Sequence, residues 1–184
     1  MMCILSYNRR KEICMFEGFV AAGRVDEVFV AKLLVATRGG RVVPSSSEDD
    51  IQNHVDFWWT PNGSTQCLGI DVKGLKKIRR NDFRLNDTDT WIETMNVHGN
   101  PGWVYGKATY IAFRRIGKVL FVKREVLAHY VEGKIAGKQI VSRNPMCCYV
   151  PYRRANSFPP RLDIITLVPL DDIEAIAEFI IPHK

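Results

Sequence analysis

Two aspartates and a lysine stand where they could share one chemical task. Asp71 and Lys73 are separated by one residue, and Asp56 lies upstream of both. Alternate side chains of a β-strand project to the same side, so we expect Asp71 and Lys73 on one face and Val72 on the other. Carboxylate oxygens suit hard cations such as Mg²⁺, and a nearby ammonium can orient or deprotonate a water. The pattern therefore indicates metal-assisted hydrolysis.

The segment 54–77 supplies the strands that would position these groups. It reads as two short strands joined by the turn-rich sequence 61–64. If the two strands pair across this turn, Asp56 approaches Asp71 and Lys73.

The order Asp56 … Asp71-Val72-Lys73 resembles the motif of the PD-(D/E)XK nuclease superfamily. Val55 replaces the proline that often precedes the first aspartate. The resemblance implies an α/β, restriction-endonuclease-like core with a mixed central sheet flanked by helices, in the order αβββαβ. It also implies one or two Mg²⁺ or Mn²⁺ ions held by Asp56, Asp71 and the backbone carbonyl of Val72, with Lys73 holding the attacking water.

A helix before the motif could complete the site. Apolar residues recur at spacings near three and four over 16–37, which predicts a largely buried helix. Glu27 has apolar residues at its neighbouring helical positions, and an inward carboxylate needs a cation or hydrogen-bond partners. Resolvase branches of the superfamily place a helix glutamate near the metals, and Glu27 matches that role. Glu17, Asp26 and Glu93 are alternatives, and a solvated Glu27 is an equal reading.

Basic, aromatic and polar residues around the motif could bind DNA. Cations beside an acidic site draw the phosphate backbone toward it. Over 103–113, an apparent strand, aromatic residues alternate with a lysine, and the loop 45–50 loosely resembles a serine-containing loop of resolvases. A solvated charge run, core aromatics and a flexible connector are the competing readings. The predicted nucleic-acid contacts are Lys76, Lys77, Arg79, Arg80, Lys107 and Ser46.

His54 shares the predicted strand face of Asp56, and a structural role is favoured over contact with phosphate or metal. The rest of the chain reads as one domain over 1–184, with 1–15 as an N-terminal arm. The remaining patterns predict strands at 41–44, 90–97, 103–113, 119–122 and 162–168, and helices at 124–131 and 172–179.

Composition narrows the function classes. Of 184 residues 46 % are hydrophobic, enough for one packed domain. A net charge of +6 favours a polyanionic partner, with a simple solubility surplus as the alternative. Five cysteines without a C-x-x-C pair indicate neither a disulfide framework nor a zinc site. No signal peptide or span-length apolar run is visible, so we expect a cytoplasmic protein (host cytoplasm if viral) without membrane contact.

With the resemblance, these features predict a Mg²⁺-dependent DNA endonuclease that leaves 5′ phosphates. The chain also resembles phage-type or Holliday-junction-resolvase-like members, which implies double-stranded or branched DNA as substrate. A homodimer is expected because two cuts need two sites. The alternatives are an exonuclease of the same superfamily, a nucleic-acid-binding protein with a degenerate site, and a protein whose aspartates only form ion pairs.

Overall fold

The computed structural model describes residues 24–77, 84–145, 147–155 and 162–184. The α-helices in these ranges are α1 (Val25–Arg38), α2 (Arg124–Ile135) and α3 (Leu170–Ala175). The strands are β1 (Arg41–Pro44), β2 (Phe57–Thr60), β3 (Leu68–Lys73), β4 (Lys76–Lys77), β5 (Leu85–Asn86), β6 (Asp89–Met95), β7 (Tyr110–Arg115), β8 (Lys118–Lys123), β9 (Tyr152–Ala155), β10 (Leu162–Pro169) and β11 (Phe179–Pro182).

The larger sheet has six strands in the order β1-β2-β3-β7-β8-β11. The central pair β3 and β7 is parallel, and the other neighbours are antiparallel. A smaller antiparallel sheet has the order β6-β10-β9, and β4 pairs with β5. The mixed larger sheet and its helices confirm the predicted α/β class.

Two apolar clusters cover the two faces of the larger sheet. On one face α1 packs through Val30 and Leu34 against Phe57 and Ile70, all fully buried. The other face packs against α2, α3 and the smaller sheet, with Ile111 in this second cluster. Successive β7 residues alternate between the clusters, as strand geometry requires, and Ile70 and Val72 of β3 belong to the first cluster.

The predicted helices are largely confirmed. The first helix begins at Val25, and 16–23, like the proposed arm, fall outside the described residues. The helix predicted at 124–131 extends to Ile135, and the last helix is shorter and earlier than predicted, over Leu170–Ala175. Within the described ranges, no helix has both the length and the apolar character needed to cross a membrane.

The strand predicted at 103–113 is wrong in its first half. Trp103–Tyr105 forms a 3-10 turn, and the strand begins only at Tyr110. Two glycines bracket the turn at close backbone approaches. A Cβ on Gly102 would lie 2.2 Å from the carbonyl oxygen of Glu93, and one on Gly106 would lie 2.8 Å from that of Asn53. Packing against these neighbours overrides the local alternation.

The order αβββ is present as α1 followed by β1, β2 and β3. The next expected element, a helix leading to the parallel strand, differs. Across the described parts of this connection, 74–77 and 84–109, the chain forms β4, β5, β6 and the 3-10 turn. Part of the connection between β3 and β7 belongs to the smaller sheet, because β6 pairs with β10, which is distant in sequence. The single-domain boundary at 1–184 stays a prediction.

Candidate active site

A shift in strand register brings Asp56 and Asp71 together. Phe57 of β2 pairs with Ile70 of β3, yet the Asp56 backbone N–H also donates to the Ile70 carbonyl, at 2.8 Å. Two residues thus face one, as in a β-bulge. Val55 and Phe57 accordingly belong to different core clusters, on opposite faces of the sheet. The Val72 N–H donates to Asp56 Oδ2, and the negative charge of Asp71 acts on Asp56, so the two carboxylates are neighbours.

Local hydrogen bonds fix the position of Asp56. Its carbonyl accepts from the Ser45 backbone N–H at 3.1 Å and from the Ser45 hydroxyl at 2.9 Å. The connection to β3 turns at Pro61, whose carbonyl accepts from the Ser64 N–H at 3.1 Å, and Gly63 adopts a φ of 74° there. The predicted turn thus exists and closes the pair of strands.

Asp56 is costly to ionise in this setting. Its side chain is buried, with 8 % exposed. Burial raises its pKa to about 8, and the negative charge of Asp71 adds to the rise. The Val72 N–H donates to Asp56 Oδ2 at 2.6 Å, which acts in the opposite direction. Two nearby buried carboxylates with too few donors form a site that favours a bound cation.

Lys73 lies beside the pair, as predicted. Its Nζ donates to Asp71 Oδ1 at 2.8 Å. Asp71 Oδ2 is also 2.8 Å from this nitrogen, but the geometry does not make a hydrogen bond, and the oxygen is buried without a hydrogen-bond partner. Val72 packs on the opposite face, in the cluster under α1. One oxygen of Asp71 thus remains as an acceptor without a donor.

Glu27 lies at the start of α1, close enough for the charge of Asp71 to affect its pKa. Burial raises its pKa to about 7; the positive charge of Arg24 opposes the rise, and the charges of Asp50 and Asp71 add to it. Glu27 Oε2 is buried and accepts no hydrogen bond, although Arg24 Nη1 lies 3.3 Å away. Arg24 also forms an ion pair with Asp50. Glu27 is therefore a second under-satisfied carboxylate near the site.

The other candidate carboxylates on α1 are placed differently. Asp26 pairs with Arg114, and a Cβ on Gly74 would lie 1.9 Å from Asp26 Oδ2. This close approach packs the start of α1 directly on the end of β3, which explains how Glu27 comes near Asp71. Glu17 lies outside the described residues.

Trp103 borders the site. The sequence predicted it as a strand residue that either contacts nucleic acid or packs in the core. The Lys73 ammonium lies 4.3 Å from the centre of its ring. The pair of bracketing glycines in the sequence was the available signal for a tight turn, which brings this ring inward. Lys73 is thereby held between a carboxylate and an aromatic face.

Glu93 on β6 is half-buried beside this turn. Burial raises its pKa, and the negative charge of Asp163 contributes to the rise. The Trp103 N–H and the positive charge of Lys73 oppose the rise. Glu93 therefore lies within electrostatic reach of Lys73, on the side away from α1.

His54 and the preceding loop frame the other side. His54 has a φ of 52° after the π-helical turn Asp49–Asn53. Burial lowers its pKa, although the charge of Asp71 opposes the shift. Ser46 is exposed, and its hydroxyl accepts from the Asp49 N–H at 3.1 Å. The structure thus gives Ser46 a local capping contact, and the neighbouring Ser45 contacts Asp56.

The predicted DNA-contact cations are only partly described. Lys76 is exposed on β4, a few residues beyond Lys73. Lys107 is exposed, and its N–H donates to the Asn53 carbonyl at 2.7 Å, next to His54. The Lys77 backbone belongs to β4 but its side chain is not described. The last two predicted contacts, Arg79 and Arg80, lie outside the described ranges.

The donor set fits a hard cation in part. The structure supplies two carboxylates, Asp56 and Asp71, whose mutual repulsion a cation would relieve. It also supplies two buried oxygens without donors, on Glu27 and Asp71. Among the described side chains, no three His, Cys, Asp or Glu residues converge as a complete metal-binding group. A bound ion would therefore need Glu27 to turn inward, or backbone carbonyls and waters to complete its shell, as Mg²⁺ commonly does.

Comparison with known proteins gives no neighbour for this arrangement. No protein-family model, curated protein or solved structure matches the chain. A functional assignment therefore has to follow from the residues of this chain.

Proposed function

We propose that this protein is a metal-dependent DNA endonuclease that hydrolyses phosphodiester bonds. One observation carries the proposal: Asp56 and Asp71 are buried and act electrostatically on each other, with the Lys73 ammonium 2.8 Å from Asp71. Two buried carboxylates that repel each other are expensive to maintain. A bound cation would offset the repulsion, and carboxylates perturbed in this way are typical of catalytic sites.

In the proposed reaction, Asp56, Asp71 and the carbonyl of Val72 would hold Mg²⁺ or Mn²⁺, as one or two ions. The metal supplies Lewis-acid stabilisation of the scissile phosphate and the leaving oxygen. Lys73 donates a hydrogen bond to the attacking water and orients it toward phosphorus. Glu27, with a pKa of about 7, can exchange a proton with that water near neutral pH. The water oxygen bonds to phosphorus as the bond from phosphorus to the 3′ oxygen breaks. The 3′ oxygen takes a proton from solvent, which leaves a 5′ phosphate and a 3′ hydroxyl.

The finer fold assignment belongs to the same proposal. We infer a restriction-endonuclease-like core from α1, the antiparallel β1–β3 and the parallel neighbour β7. A glutamate at the start of α1 supports a structure-selective, resolvase-like enzyme of phage type. Such an enzyme acts on branched or double-stranded DNA as a homodimer, because it makes two cuts.

A second candidate is a nucleic-acid-binding protein with an inactive site. The Lys73–Asp71 contact supports it, because that ammonium neutralises one carboxylate without a metal. Such a protein would bind DNA in a salt-dependent manner and leave it intact in Mg²⁺ and Mn²⁺.

Cleavage of a panel of DNA substrates tests the proposal. Linear, nicked, branched and single-stranded DNA are incubated with the protein in MgCl₂, in MnCl₂ and in EDTA, and the product ends are mapped. We expect cleavage only with metal, 5′-phosphate ends, and the fastest rate on branched DNA. Binding without cleavage in either metal would favour the second candidate.

Trp103→Leu is expected to lower kcat about tenfold, because one cation–π contact is worth about 0.5–2 kcal/mol and about 1.4 kcal/mol corresponds to a tenfold change in rate. Trp103→Phe should restore most of the rate, since it keeps an aromatic face over Lys73. The same pair of changes at half-buried Trp91, which packs on Tyr152 in the smaller sheet, is the control. Equal rate losses at both tryptophans would show that Trp103 acts only through packing.

A further inference from the structure

Four exposed cations lie at the end of α2 and on two neighbouring segments that follow it in the chain. Lys134, Lys138, Arg143 and Arg153 are named here the cationic strip. The Val141 N–H donates to the Pro151 carbonyl, and the Arg153 N–H donates to the Val141 carbonyl, both at 2.9 Å. The segment 138–143 therefore runs alongside 149–153, and Lys134 adjoins it at the end of α2.

The cationic strip differs from several paired cations of the chain: Arg154 binds the buried Asp163, and Arg115 binds Asp171 at 2.7 Å. Among the described residues, none of the four strip cations forms an ion pair with Asp or Glu. Cations gathered without counter-charges repel one another, and an anionic partner relieves that repulsion.

An aromatic platform holds the two lysines. The Lys134 ammonium lies 5.2 Å from the ring centre of Tyr130 and 5.4 Å from that of Tyr149. Lys138 lies 5.9 Å from the Tyr149 ring and donates to the Tyr149 carbonyl at 2.9 Å. Tyr149 has a φ of 59°, which is uncommon for a bulky residue. Its hydroxyl is tied to Asp172, which fixes the ring.

We propose that the cationic strip binds the phosphate backbone of duplex DNA, as a second contact surface in addition to the proposed active site. This inference rests on the proposed nuclease function. The backbone is favoured over the bases, because the ring faces of Tyr130 and Tyr149 already contact the lysines and each other. Exposed ammonium and guanidinium groups that contact phosphates bind duplexes independently of sequence.

The fold connects the strip to the proposed active site. The 3-10 turn that places Trp103 over Lys73 packs against α2. Burial and the nearby Glu132 on α2 raise the pKa of the Tyr105 hydroxyl in that turn. The strip therefore begins on the same helix that packs against the turn, on another face of that helix.

Salt-dependent binding tests the strip. Affinity of the full chain for a short random-sequence duplex is measured in EDTA at several salt concentrations. The strip variant combines Lys134→Gln, Arg143→Gln and Arg153→Gln. The control variant removes the same charge from three other exposed cations, at Arg38→Gln, Arg41→Gln and Lys184→Gln.

The strip variant is expected to reduce the log–log salt slope by about 2.7, since each phosphate contact contributes about 0.9. The control variant should reduce it by less than one contact's worth. Equal slopes for the two variants would overturn the inference, as would equally tight binding to poly-glutamate and duplex by the parent. Lys134→Gln and Arg153→Gln alone, each expected to remove about one contact, give the same test if the triple variant folds poorly. The binding test is independent of cleavage, because EDTA removes the metal. A protein without nuclease activity can still lose salt slope in the strip variant, and an active nuclease can bind DNA without the strip.

Discussion

Asp71→Asn is expected to reduce Mg²⁺-dependent DNA cleavage at least about a thousandfold. A metal ion contributes several kcal/mol of transition-state stabilisation, and about 1.4 kcal/mol corresponds to a tenfold change in rate. Asparagine keeps the shape of Asp71 and its acceptor for Lys73, but it loses the charge that would hold the ion. Single-turnover cleavage at saturating Mg²⁺, with circular dichroism to confirm folding, measures the effect.

Asp171→Asn is the matched control for this substitution. It removes the same charge from an aspartate whose side chain is 85 % exposed and pairs with Arg115. Arg115 is buried but keeps Glu174 as a partner at 2.8 Å, so folding and cleavage should be retained. If Asp71→Asn cleaved as fast as Asp171→Asn, the catalytic site would lie elsewhere.

The central pair of strands could be predicted because its signals are local. Strand alternation placed Asp71 and Lys73 on one face and Val72 on the other, and the turn after Trp59 suggested the return to β3. These features need only neighbouring residues, and the structure shows all of them. Helical periodicity alone could not tell whether Glu27 or Asp26 lies nearer the two aspartates. The position of Asp26 depends on its contacts with Arg114 and Gly74, which are distant in sequence.

The structure of the segment after β3 could not be predicted from neighbouring residues. β6 pairs with β10, as Trp91 with Leu167, and nothing near either residue signals a partner so distant in sequence. Trp103 and Tyr105 alternate like strand residues, yet the turn they form depends on packing against Glu93 and Asn53. Contacts distant in sequence decided these elements, and they also placed Trp103 over Lys73.

The site concentrates unfavourable electrostatics in one place. Burial raises the pKa values of Asp56 and Glu27, to about 8 and about 7. The surrounding cations are committed elsewhere in part: Arg24 to Asp50 and Arg114 to Asp26. Such a cluster lowers the stability of the metal-free fold, and binding of a cation would recover it.

This electrostatic cost makes stability depend on pH through Asp56. Its folded-state pKa of about 8 lies above the ordinary value of 3.8. Between about pH 4 and about pH 8 the folded protein therefore holds this proton more firmly than the unfolded chain does. Stability contributed by the protonated group is complete at low pH and is lost as the pH rises through this window.

Asp56→Asn should raise the melting temperature of the metal-free protein at pH 8, and by much less at pH 5. Asparagine mimics the protonated carboxyl and keeps the acceptor for the Val72 N–H. The gain corresponds to removing a buried uncompensated group, about 1–3 kcal/mol, or roughly 2–4 °C per kcal/mol for a chain of this size. Thermal unfolding of parent and variant across pH 5–8, in EDTA and in MgCl₂, gives the difference, because other titrating groups are common to both proteins. Mg²⁺ should stabilise the parent at pH 8 and leave the variant nearly unchanged. A variant less stable than the parent at pH 8 in EDTA would show that the Asp56 carboxylate is already compensated in the fold.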